Sequence, residues 1–258
     1  MKHKKQIWGG VILFAIIIWW QLAGFVFYPL GHLVKPDGGA NGNWSLAANL
    51  FSKSAYWYGA AGHPGLRAVA LSHQASCLLP DNNAEGSWAE AIALCEEAAR
   101  LAGDAGNLRE KGLLLRDQAL YSRPSLNPDG NWTKAAALYA ESARILGEAG
   151  DRFEQGISLR SQACCVRPDS NPDGSWVEAI ALYSESARLL GDTGIPGEQA
   201  QSLAMQATCF LPERNPEGNL NKAIEVLRSA ARLFSEGGDE ENAERAHSIA
   251  ARWEEKRG

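Results

Sequence analysis

The chain has 258 residues, 45% of them hydrophobic, with 25 Lys and Arg against 30 Asp and Glu for a formal net charge of −5. That length can bury a sizeable core, and the acidic balance excludes the basic footprint a nucleic-acid binder carries. Its five cysteines are an odd number without a C-x-x-C pair, which excludes a fully paired disulfide framework and a sequence-encoded zinc site.

Residues 1–6 are basic, and residues 7–28 form an uncharged apolar run that stops at Pro29. A run of about 22 residues at ~1.5 Å each spans roughly 30 Å, so it reads as one transmembrane helix with Trp8, Phe27 and Tyr28 at the interfaces. A cleaved secretion signal fits less well, because a signal core is only ~7–15 residues and Gln21-Leu22-Ala23 departs from the small-residue cleavage pattern. No Cys follows at a lipoprotein spacing. The Lys cluster ahead of the run predicts a cytoplasmic N-terminus and a body on the extracytoplasmic side, periplasmic or extracellular. Residues 29–42, rich in Gly towards their end, are expected to be a linker.

From residue 43 the chain repeats. Trp44, Trp88, Trp132 and Trp176 stand 44 residues apart, and the same phase holds Gln74, Gln118, Gln162 and Gln206, then Pro80, Pro124, Pro168 and Pro212, and Gly106, Gly150, Gly194 and Gly238. Such a period implies an all-α, α/α solenoid of tandem helix-turn-helix units over residues 43–238. In the copy after Asp151, Leu159, Ala163 and Val166 fall at i, i+4 and i+7 of a first helix that ends by Pro168. The turn sequence Asn171-Pro172-Asp173-Gly174 follows, and Ser175 with Glu178 forms a capping box for a second helix, as do Ser87 and Glu90. Cys77, Cys165 and Cys209 share one repeat position and read as small core residues. In an oxidising compartment at least one of the five thiols would stay free. Residues 239–258, rich in Glu and Arg, are expected to be a capping helix with Trp253 turned inward.

The run Gly174-Ser175-Trp176-Val177-Glu178-Ala179-Ile180-Ala181-Leu182-Tyr183 resembles the second helix of the tetratricopeptide superfamily. Among its variants the longer kinesin-light-chain-like and Sel-like repeats are the most similar, the former also at Gly62-His63-Pro64. The unit here is longer than the family's usual ~34 residues, the added length lies in the Asn-Pro-Asp-Gly loop, and Gln replaces an apolar residue before the small Ala of the first helix. The resemblance implies that first helices line a concave groove and that positions around Ala75, Ala119, Ala163 and Ala207 face it. These include His73, Arg116, Arg123, Arg160 and Arg167. Arg116 with Arg123, and Arg160 with Arg167, are seven apart and so would share a helix face. Four guanidinium groups there suit an acidic peptide or a C-terminal carboxylate, against the plainer reading of surface Arg paired with nearby acids.

The expectation is therefore a membrane-anchored, noncatalytic scaffold, adaptor or assembly factor that binds a protein or peptide and needs no cofactor. Self-association through loops and the capping helix is the main alternative. A second is weak calcium binding at Asp169, Asn171 and Asp173, which match the opening of an EF-hand loop although Ile180 stands where the closing Glu belongs. The repeated Gln residues suggest a hydrogen-bond ladder, and Arg100, Arg144 and Arg188 follow a Glu by three places as ordinary helix-surface ion pairs do. No H-E-x-x-H motif or Gly-rich phosphate loop points to an enzyme.

Overall fold

The computed structural model describes residues 24–35 and 43–256, and every regular element among them is an α-helix. A helix over residues 24–34 is α1. It is followed by α2 (Trp44–Ala60), α3 (Pro64–Cys77), α4 (Trp88–Asp104), α5 (Leu108–Tyr121), α6 (Trp132–Glu148), α7 (Arg152–Cys165), α8 (Trp176–Asp192), α9 (Pro196–Cys209), α10 (Leu220–Glu236) and α11 (Glu240–Glu255). Among the described residues, those up to Tyr121 form one compact unit and those from Ser122 a second.

The repeated Trp marks the first turn of an even-numbered helix, directly after a capping side chain. Asn43, Ser87, Asn131, Ser175 and Asn219 each accept the backbone N–H of the residue three places on. The expected capping box is only half made. Ser175 donates its own backbone N–H to the Val166 carbonyl at 2.7 Å, and Ser87 to that of Leu78 at 2.8 Å. Thus these two loops, like the one closed by Asn131 N–H on Ser122 O at 2.8 Å, are closed backbone to backbone across the base, not by a Glu side chain. Inside the loop a buried Asn holds the turn: Asn215 Nδ2 donates to Cys209 O at 2.9 Å while its Oδ1 accepts Glu217 N at 3.0 Å. Asn83, Asn127 and Asn171 accept the N–H two residues on in the same way.

Even helices pass to odd ones through a short turn at Gly62, Gly106, Gly150 or Gly194, and α10 passes to α11 through Gly238. All five have φ between 73° and 77°, and in the copies at Gly62, Gly106, Gly150 and Gly238 the next residue's N–H reaches back to a carbonyl five residues earlier, as when Asp151 N donates to Leu146 O at 2.9 Å. Within these pairs the helices approach closely on small residues. In the second unit, Ser142 and Ser158 pair at 3.0 Å, Ser186 and Ser202 at 2.8 Å, and Ser186 Oγ also donates to the Gly156 carbonyl at 2.8 Å. Tyr139 and Tyr183 fill the larger gaps. At the C-terminal end Trp253 packs on the cluster of Ile224, Leu227 and Ala250, so α11 closes that end.

Before Trp44 the structure departs from the expected division. Residues 29–34, expected as linker, are helical, and α1 occupies the place of an odd helix for α2. Ser54 Oγ donates to the Gly24 carbonyl at 3.0 Å, which repeats the Ser186 to Gly156 bond three units on. Gly31 sits against Phe51, and Tyr28 meets the same ring with centroids 5.7 Å apart. The expected membrane helix over residues 7–28 lies outside the described residues except for 24–28. Among the described residues no helix is long and apolar enough to cross a membrane.

All five cysteines are free, four buried and Cys164 half-buried. Burial raises the thiol pKa of Cys95 and Cys165 to about 12 and that of Cys209 to about 11. A maleimide pulse at pH 7 is expected to modify Cys164 alone in the native chain. Mass spectrometry should find the other four only after denaturant is added.

Candidate functional site

The sequence-predicted site residues fall in both units. His73 (on α3) and Arg116 (on α5) belong to the first unit; Arg123, Arg160 and Arg167 belong to the second. The expectation that Arg116 shares a helix face with Arg123, and Arg160 with Arg167, fails locally. Helix α5 ends at Tyr121 and α7 at Cys165, so Arg123 and Arg167 lie in the loops that follow. Their guanidinium groups instead lie over the Trp that opens the next helix, Arg123 over Trp132 at 5.5 Å and Arg167 over Trp176 at 5.6 Å from the ring centroids. One full repeat phase earlier in the chain, Lys35 lies over Trp44 at 5.7 Å. The same position holds Leu79 and Leu211 in other copies. Where a Trp opens the next helix this position is thus a cation or, at Leu79 beside Trp88, a Leu, while Leu211 precedes Leu220 and has no ring to cover.

The arginines differ in what neutralises them. Arg160 pairs with Glu198 of α9 at 2.7 Å and also donates to that residue's backbone carbonyl at 3.2 Å. Arg167 forks onto Asp169 through Nε at 3.0 Å and Nη2 at 2.5 Å, and Arg214 reaches the same carboxylate at 3.1 Å. Burial works against the Arg167 charge, but its hydrogen bonds to Asp169 outweigh that and hold the guanidinium above its usual pKa. For these two the plainer reading of Arg paired with nearby acids describes what is seen.

Arg123 is different because Ser125 stands where its repeat mate has Asp169. Among the described residues it has no ion-pair partner, and its Nε is buried without a hydrogen-bond acceptor. Its charge lies near Tyr139, whose pKa burial raises to about 12 although Arg123 opposes the shift. A guanidinium held on an indole with no internal carboxylate is a preorganised donor to an outside one.

His73 serves a different purpose. Its ring stacks on Phe51 at 5.1 Å with an interplanar angle of 24° and meets His32 of α1 edge-on at 4.6 Å and Tyr28 at 5.5 Å. It is a contact that docks α1, not a free groove side chain.

The residues of the calcium alternative are engaged within the chain. Two arginines occupy the Asp169 carboxylate, and Asn171 Oδ1 accepts the Asp173 N–H at 3.2 Å, so the loop presents no convergent oxygens. The Gln ladder is seen at Gln206, whose amide donates to the Ile180 carbonyl at 3.2 Å and to Ser184 Oγ. Arg188 pairs with Glu185 at 2.6 Å as the spacing predicts. Arg100 instead pairs with Asp104, and Arg144 with Glu148, one turn further on. Sequence reasoning missed the Trp shelf, though the shared phase of Lys35, Arg123 and Arg167 could have revealed it.

No protein-family model matches the chain, and no curated protein does. Among solved structures it is similar to a signal transduction ATPase with numerous domains (STAND) from Pyrococcus horikoshii that carries a tetratricopeptide repeat sensor. The two share 13% identity and a TM-score of 0.60, over 92% of this chain and 37% of that one, so this chain spans little more than a third of its length. The likeness is one of fold: the chain is built of tandem tetratricopeptide-like helical repeats.

Proposed function

We propose that the protein is a noncatalytic protein-interaction scaffold, anchored in a membrane by residues 7–28 with its repeats on the extracytoplasmic side. In this reading it binds an acidic segment or C-terminal carboxylate of a protein partner, and the side chain that receives that carboxylate is Arg123. The observation that carries it is the contrast between two equivalent positions: Arg167 is neutralised by Asp169, whereas Arg123 rests on Trp132 with Ser125 in place of that acid. The sidedness rests on the Lys cluster ahead of the apolar run.

The test replaces Arg123 with Leu, the residue the repeat itself uses at Leu79 beside Trp88, so the cover over Trp132 is kept and only the charge goes. On arrays of random peptides the intact chain should enrich Asp, Glu or free C-terminal carboxylates. Arg123→Leu should weaken that binding at least about tenfold, the ~1.4 kcal/mol scale of one charge-assisted contact, without changing the circular dichroism spectrum. Arg167→Leu should leave the acidic preference intact. Equal losses from both variants, or none from either, would remove Arg123 from the site.

A further inference from the structure

One face of α1 is apolar and bare. Leu33 is 80% exposed, Val26 54%, Phe25 52% and Leu30 39%. With Pro29 they fall within an arc of about 140° on a helix of 3.6 residues per turn. The repeat phase explains what this face is. The positions in phase with Val26 are Ala70, Leu114, Ser158 and Ser202, and those in phase with Leu33 are Cys77, Tyr121, Cys165 and Cys209; all eight are buried. In the second unit Ser158 and Ser202 show what buries them, for they pair with Ser142 of α6 and Ser186 of α8, each on the preceding even helix. The bare face of α1 is thus a stacking face.

A preceding even helix would have to come from residues before 24, and the sequence there lacks the turn that every other copy uses. Between an even and an odd helix stands a Gly with φ near 75°, at 62, 106, 150 and 194. The residue in that phase is Ile18, and a β-branched side chain is a poor occupant of left-handed backbone. Instead the apolar run enters α1 without a turn signal, and from Gln6 to Val34 the chain holds no Asp, Glu, Lys or Arg. This continuity decides the occupant.

We propose that the bare face of α1 lies in the interfacial layer of the bilayer, so that lipid covers the stacking face and the repeats sit directly on the membrane. The proposal rests on the anchor reading above. An apolar helical face held at the headgroup boundary where the anchor leaves the bilayer, bordered by Tyr28 and His32, is a stable arrangement for such a surface. One helix then serves two layers, with Tyr28 and Gly31 turned to α2 and α3 and Leu33 and Val26 turned to lipid.

The test uses the full chain reconstituted into phosphatidylcholine vesicles, with p-benzoylphenylalanine replacing Leu33 in one preparation and Val177, a 70% exposed residue of α8, in another. Flotation with the vesicles tests the anchor by itself. In floated protein, illumination should attach phospholipid at position 33, read as a mass increase of one lipid, and none at position 177. Flotation without a lipid adduct at 33 overturns the proposal and leaves the anchor standing. An adduct between two copies at 33 also overturns it, since the face would then be a dimer contact. Failure to float removes the anchor reading and the proposal with it.

Discussion

Gly174→Ala is expected to destabilise the second unit by about 3 to 5 kcal/mol, among the largest effects a single methyl can have. The reason is the loop base. Ser175 N–H must reach Val166 O to close the long loop, and that contact brings the Val166 carbonyl against the Cα of the residue before the cap. A Cβ at Gly174 would overlap the Val166 carbonyl oxygen and stand 2.7 Å from its carbon and 2.9 Å from the Asn171 oxygen, all of it backbone. Nothing flexible can give way, so either the closing hydrogen bond or the cap of α8 is lost. Gly150→Ala offers a contrast of kind. There a Cβ would meet open space and the cost is the left-handed φ of 77° alone, about 1 to 2 kcal/mol. Urea unfolding followed by circular dichroism should rank the two in that order. Equal midpoints would show that the loop opens freely and does not fix the geometry of α7 on α8.

The same loop shows where sequence reasoning reached and where it stopped. The 44-residue phase of Trp44 to Trp176 marks the starts of α2, α4, α6 and α8, because an aromatic at the first turn after a capping side chain is a local signal. Glycines in the short turns were legible for the same reason. The capping box at Ser175 was half wrong because a sequence window shows Glu178 three residues away but not Val166 O, which the loop brings in from nine residues back. The four arginines failed differently. Spacing of seven suggested a common helix face, but it could not show that α5 and α7 end two residues before Arg123 and Arg167, where a ring offered a better seat than solvent. Helix α1 straddles a boundary of that reading, with residues 24–28 in the apolar run and residues 29–34 in the linker, and the small residues Gly24 and Gly31, which let it meet Tyr58 and Phe51, carry no local signal of packing.

Acidification should loosen α1 from α2 and α3. His73 is the group responsible, since burial, then the nearby His32 and then Lys35 lower its pKa to about 4. The groups that face it are Tyr28 and His32 from α1, Lys35 directly after it and Phe51 from α2, with Ser76 and Cys77 beside it on α3. None of these is a carboxylate, and Glu110 acts on Tyr28 further off. A depressed pKa means the docked state holds His73 neutral while the undocked state takes up a proton near pH 6.5. The contribution is therefore complete above about pH 6.5 and is lost as pH falls through about 4. Because the ring is partly exposed, solvent screening reduces the full linkage energy to about 2 kcal/mol. Hydrogen exchange in residues 24–34, corrected for its intrinsic pH dependence, should rise by about tenfold or more between pH 7 and pH 4.5. His73→Phe, which keeps the stack on Phe51 and the edge contact with Tyr28, should abolish that rise. If the substituted chain loosens with acid as the intact one does, the titrating group lies elsewhere and α1 is held by contacts that do not sense protons.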